Sequence, residues 1–229
     1  MLASVHIADA GPLAALGAQA RGLRPGTVPG LRQSNLALAA PLSGSVVPRP
    51  QIGRLGLVAF WDDEADIDRF LADNPLGARF AGGLQVRLEP LRIFGSWPGV
   101  PEDIPTSRST DHEGPAAVLT LGRLRMTQAP RFLRTSARAE AAVIDAPGLI
   151  WTTGLAKPPF VGTFSMWTSS KALSTYAFGR GRPAHADAIN AGETKPFHHQ
   201  QAFIRFRPFG VSGSLSGRNA TPALTPELT

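Results

Sequence analysis

Two stretches of this sequence repeat one pattern, and a repeat restricts the fold to something that can be built twice. Val86-Arg-Leu-Glu-Pro90-Leu91, followed by Gly95-Ser96, returns as Ile204-Arg-Phe-Arg-Pro208-Phe209, followed by Gly213-Ser214. Upstream of each lies a β-prone run ending in tryptophan, at Trp61 and at Trp167, then a polar turn and a helical run. The chain reads as a duplication of one small α+β unit. The copies are unequal. The second has a longer path from its tryptophan to its Arg-x-x-Pro motif, and that added length carries His185, His198 and His199.

Periodicity places the elements of each unit. Ala3–Ala8, Leu31–Leu42, Ile52–Trp61 and Gln85–Phe94 read as strands. Pro12 opens an Ala/Leu-rich helix ending near Gly22. Asp62 or Asp63 can cap a second helix with Ile67, Phe70 and Leu71 on one face, which Pro75 ends. In the second copy the strands are Ala116–Leu124, Leu149–Leu155, Phe160–Trp167 and Ala202–Phe209. The helices are Gln128–Ile144, with Thr127 as cap, and Ser169–Phe178, with a further helical piece over Ala184–Ala191. The order β-α-β-β-α-β, twice, is ferredoxin-like. Residues 1–97 are expected to form the first half and 98–114 the Pro- and acid-rich linker. Residues 115–215 would be the second half, and 216–229 a frayed tail. A four-stranded sheet with helices on one side leaves the other side bare, and joining the two bare faces makes one α+β barrel. The alternative is that each half pairs with another subunit as a homo-oligomer.

Composition narrows the function. The 229 residues are 43% hydrophobic and 17% charged, as in a globular chain. The net charge of +6 is carried almost wholly by arginine, with lysine only at Lys157, Lys171 and Lys195. No basic stripe interleaved with aromatics is present, which argues against a nucleic-acid partner. With no cysteine, disulfides, thiolate metal sites and a cysteine nucleophile are excluded. No apolar run reaches the ~18 residues of a spanning helix, and the N-terminus lacks a signal-like pattern, so a cytoplasmic location is expected. Gly179-Arg-Gly181 lacks the strand–turn–helix context and lysine of a phosphate loop. No serine sits in a nucleophile elbow.

An ordered series in the second half resembles the spheroidene monooxygenase family. It runs Thr120-Leu-Gly-Arg-Leu-Arg125, Arg131-Phe-Leu-Arg134, Leu149-Ile-Trp-Thr-Thr-Gly154 and Phe164-Ser-Met-Trp167. It continues with Ala184-His-Ala-Asp-Ala-Ile189 and Phe203-Ile-Arg-Phe206. The resemblance extends over essentially the whole chain and is sharpest from about Ala116 to Pro208. It implies the dimeric α+β barrel superfamily and a haem-dependent oxygenation of a carotenoid, with an electron donor or peroxide as co-reactant. It also implies a histidine iron ligand, for which His185 is the matching position.

Residue by residue, His185 follows the Gly181-Arg-Pro183 break and opens a short helix. A neutral imidazole presented to a cavity is a usual proximal haem ligand; the plainer alternative is a helix-start histidine bonded to backbone. His198 and His199 are neighbours at a strand entrance and point to opposite faces, so they do not jointly ligate one metal. Arg123 and Arg125 alternate with Leu124 and are expected on one strand face, where a guanidinium can hold a haem propionate or an acidic substrate. Arg131, Arg134 and Arg138 fit a solvated helix face. Arg205 and Arg207 have a counterpart in Arg87 and read as structural. Trp151 has no first-half counterpart and is the expected pocket aromatic. Three functions remain: a haem-dependent monooxygenase of an apolar or amphipathic small molecule, a cofactor-free oxygenase or isomerase, and a haem-binding protein without turnover.

Overall fold

A computed structural model describes residues 1–46, 51–107, 110–178, 196–215 and 218–219. The first half contains β1 (Leu2–Asp9), α1 (Pro12–Arg21), β2 (Leu31–Ala40), β3 (Arg54–Trp61), α2 (Glu64–Asp73) and β4 (Leu84–Gly95). The second contains β5 (Ala116–Leu124), α3 (Ala129–Ile144), β6 (Leu149–Lys157), β7 (Phe160–Trp167), α4 (Ser170–Phe178) and β8 (His198–Ser212). The strands close an antiparallel barrel in the order β1-β3-β2-β6-β7-β5-β8-β4. Each half is thus a 4-1-3-2 sheet. They join edge to edge through a long β4–β8 seam and a short β2–β6 seam, Leu38–Ala40 against Gly154–Ala156. One chain closes the barrel by itself.

The duplication extends to irregularities. β2 bulges between Leu31 and Gln33 against β3, and β6 bulges between Leu149 and Trp151 against β7. The Asp62 N–H donates to the Gly30 carbonyl and the Thr168 N–H to the Gly148 carbonyl, both at 2.8 Å. Gly95 and Gly213, the glycines after the repeated motif, have φ of 86° and 79°. A side chain there would strike the Gln201 or the Gly83 carbonyl, so glycine is required twice for one reason.

Alternation sorts each strand into an inward and an outward set. Val5, Ile7, Val58, Phe60, Leu119, Leu121, Phe164, Met166, Ile204 and Phe206 fill the barrel interior. Burial of this set is the main stabilising term of the closed barrel. Trp61 and Trp167 point the other way, under the helices. Trp61 donates to Ser4 Oγ (2.8 Å) and Trp167 to Ser165 Oγ (2.9 Å). Ile104 of the expected linker, with Trp97 just before it, is buried in the interior cluster and stops one end of the barrel.

Some boundaries differ from expectation. β8 starts at His198 because its first residues pair with β5 and its last with β4, lengthening it at both ends. Asp63 rather than Asp62 caps α2, accepting from the Asp66 N–H. Thr127 lies inside a short 3-10 turn, Met126–Gln128, so the cap position of α3 falls to Gln128. The helical piece over Ala184–Ala191, including His185, lies outside the described residues, as does nearly all of the tail.

Candidate functional site: the sheet–helix layer of the second half

The outward face of each sheet packs under helices, and the two halves differ there. In the first half this layer is closed: Leu36, Leu55, Leu57, Ala59 and Trp61 are all buried against Ile67 and Phe70 of α2 and Phe80. His6 completes it, fully enclosed, with its ring against Phe80 and Phe70 and Nε2 bonded to Ser4 Oγ at 2.8 Å. Burial, with a smaller push from Arg87, lowers the pKa of His6 to about 3. A neutral imidazole therefore belongs to the packed layer.

Register pairing gives each of these residues a second-half counterpart. Leu57 and Thr163 stand four pairs from the respective tryptophan–strand contacts; likewise Leu36 matches Gly154, Ala59 matches Ser165 and His6 matches Thr120. Every replacement of a large group is by a smaller one. Thr120, Thr152, Gly154, Thr163 and Ser165 are each only half-buried. The buried apolar set of this layer shrinks to Ala116, Val143, Ala146, Trp167, Leu173 and Tyr176. Among the described residues the same architecture therefore leaves this face partly open, a shallow cleft floored by hydroxyls and a glycine beside α3 and α4. An open depression of about 400 Å³ beside α4 is lined by Pro147, Gly148, Lys171, Ala172, Thr175 and Tyr176.

One end of the outward face carries an aromatic cluster. His198 lies over Gly122, where a Cβ would meet its imidazole. A bulge between Arg123 and Leu124 turns it to this face. Phe132 and Phe197 contact the ring edge-on, and Arg131 lies over Phe197 at 4.3 Å. His198 Nδ1 meets Gln201 Oε1 (3.2 Å), while Nε2 is buried without a partner. Burial lowers its pKa, against a smaller upward pull from Gln201. His199 is exposed.

At the β4–β8 seam, Arg92 of β4 pairs with Arg205 of β8, and Phe94 with Phe203. All four point outward, because Ile93 and Ile204 between them point in. The phenylalanines are 63% and 38% exposed with centroids 6.3 Å apart. Arg205 is buried and its one described hydrogen bond is to Ser174 Oγ, at 3.4 Å. Burial and the charge of Arg92 lower its pKa. Its repeat counterpart Arg87 is opposite: burial again pulls down, but hydrogen bonds to Asp68 and Glu64 outweigh it and the pKa is raised.

Of the residues singled out in the sequence, Arg123, Arg125 and Trp151 are not brought together, and His185 lies outside the described residues. Arg123 turns inward at one end of the barrel, its guanidinium 5.7 Å from the Trp97 ring. Trp151 also packs on the interior cluster, beside Phe164, but at the opposite end. Arg123 is level with Phe160 and Trp151 with Met166, which a rise of about 3.3 Å per residue sets roughly 20 Å apart. Arg125 lies beyond the end of β5, so the expected alternation with Arg123 stops there. It ties the chain to β8, its Nε donating to the His198 carbonyl and its N–H to that of Phe197. Among the described residues no group of three His, Asp or Glu is placed to hold a metal, and no helix is long and apolar enough to cross a membrane.

A closed α+β barrel with one sealed and one partly open sheet–helix layer defines the class: a tandem ferredoxin-like barrel protein. No family model matches the chain. Curated relatives do. It is 30% identical to spheroidene monooxygenase of Rubrivivax gelatinosus over 84% of this chain and 77% of that one. It is 26% identical to spheroidene monooxygenase of Cereibacter sphaeroides over 75% of this chain and 54% of that one. Among solved structures, an aldoxime dehydratase in complex with butyraldoxime shares the fold at a TM-score of 0.52 and 10% identity, covering 91% of this chain and 79% of that one. The chain belongs to the spheroidene monooxygenase family, and with it to the oxidoreductases.

Proposed function

We propose that the protein is a haem-dependent monooxygenase of an apolar or amphipathic small molecule, with the second-half cleft as its binding site. The observation that carries this is the opened layer: His6, Leu36 and Leu57 of the first half are replaced by Thr120, Gly154 and Thr163. Such a replacement weakens packing by roughly 2–4 kcal/mol per buried leucine lost, and ligand binding is the reason we give for it.

The residues present suit a haem. The cleft floor is made of small residues, and among the described residues a buried arginine at its seam side has no carboxylate and the buried Ser170 Oγ has no partner. His185 is the residue we assign to the iron. Haem, when bound, would supply the oxidising chemistry, while the protein binds and orients. Phe94 and Phe203 offer an exposed apolar surface beside the cleft on which a long apolar body can lie. The names of the relatives make a carotenoid such as spheroidene the first substrate to try.

Expression with a haem precursor tests the reading. A Soret band is expected in the purified protein, and His185→Ala should shift or abolish it. Absence of the band, together with an unchanged haem titration in His185→Ala, would overturn the haem assignment.

A further inference from the structure

The repeated arginine is neutralised in one half and not in the other. Arg87 contacts Glu64 and Asp68, one turn apart on α2, and its neighbour across the seam is Gly210. In α4 the positions that match Glu64 and Asp68, counted from the two tryptophans, are Ser170 and Ser174. The cross-seam neighbour of Arg205 is a second cation, Arg92, whose guanidinium donates to the Ser107 carbonyl at 2.7 Å. One carboxylate-rich site has become, at the same place in the fold, two guanidiniums and two hydroxyls.

Arg205 is only 7% exposed. Among the described residues its side chain bonds only to Ser174 Oγ, and the side-chain oxygen of Ser170, 6% exposed, has no partner. A buried guanidinium without an anion is costly, and a buried hydroxyl without a partner adds to that cost. The duplication supplies the control: in the sealed first half the fold places two carboxylates on this arginine. Guanidinium is a fork that matches a carboxylate in bidentate fashion. Ser170 is also the first residue of α4, where the helix dipole favours negative charge.

We infer that Arg205, with the hydroxyls of Ser170 and Ser174 and the charge of Arg92, receives a carboxylate of the ligand seated in the second-half cleft. The apolar body of that ligand lies over the cleft floor of Thr120, Gly154 and Thr163. On the haem reading, on which this identification of the ligand rests, the carboxylate is a haem propionate.

The test is titration of the full chain with haem and with haem dimethyl ester, followed by Soret absorbance and quenching of tryptophan fluorescence. The wild type is expected to prefer the diacid by about tenfold or more, the scale of a charge-assisted hydrogen-bond pair. A double variant, Ser170→Glu with Ser174→Asp, restores the first-half arrangement. It should fold with an unchanged or higher melting temperature and bind both forms with affinities within about twofold of each other. Equal affinity of the wild type for the two forms, or an undiminished preference in the double variant, overturns the inference. If neither form binds, the haem reading fails and the carboxylate site is read by thermal shift with acetate. Stabilisation of the wild type but not of the double variant upholds the site, and equal response of the two overturns it.

Discussion

The two sheet–helix layers have the same strand order, the same bulge and the same tryptophan, yet one is sealed and the other open. The first is closed by leucines, His6 and an arginine held between two carboxylates. The second has threonine, serine and glycine at matched places and an arginine without a counter-charge among the described residues. Duplication lets one copy carry stability while the other gives up packing for a ligand. The difference is chemical and not topological, since every strand pairing of one half has its equivalent in the other.

Exchanging the floor residues is the strongest way to break this comparison. Leu57→Thr should cost about 2–4 kcal/mol, because it removes buried apolar volume and leaves a hydroxyl in the gap. The reverse change, Thr163→Leu, should cost less than about 1 kcal/mol while weakening haem binding roughly tenfold or more by filling the cleft. Urea unfolding and haem titration of both variants check this. Equal stability losses would mean that the layers are packed alike.

Acid sharpens the contrast next. His6 has a folded pKa of about 3 against ~6.5 unfolded, so between these values the unfolded chain binds the extra proton. The contribution is present above pH ~6.5 and is lost as pH falls toward 3, on the order of 3 kcal/mol by pH 4. His6→Gln should flatten the dependence of stability on pH over that window, measured as the difference from wild type. An unchanged slope would show that His6 is not enclosed in the folded protein.

The smallest effect concerns the arginines. Arg87→Gln should cost about 1 kcal/mol in a salt-dependent manner, the carboxylates being half-exposed and screened. Arg205→Gln should leave the ligand-free protein equally stable or more so, since it removes an unpaired charge. Thermal melts at low and high salt separate the two.

Much of the scaffold could be read from the chain. Alternating apolar runs ending in Trp61 and Trp167, and the paired Arg-x-x-Pro strands, led to the tandem βαββαβ order and to the barrel. The ordered series from Thr120 to Phe206 led to the family. The site was far less legible. Arg205 looked structural because it repeats Arg87, and only contacts across the fold separate them: Glu64 and Asp68 precede Arg87 by a helix and a turn, and Ser170 and Ser174 precede Arg205 by a longer stretch. Arg123 and Arg125 looked like a pair by alternation, but β5 ends at Leu124 and the second arginine is drawn to β8. Trp151 was read as a pocket aromatic for want of a first-half counterpart; its strand parity turns it to the interior cluster.

The sequence by itself determined the duplication, the strand and helix order, the family and the absence of thiol chemistry. These depend on local periodicity, residue counts and ordered motifs, which are properties of the chain read in one dimension. Only the tertiary structure decided which half is open and which arginine is unpaired. Burial and charge compensation are sums over residues brought together from distant segments. The meaning of Arg205 therefore lies with Arg92, Ser170 and Ser174, and with the matched site where Arg87 has what Arg205 lacks.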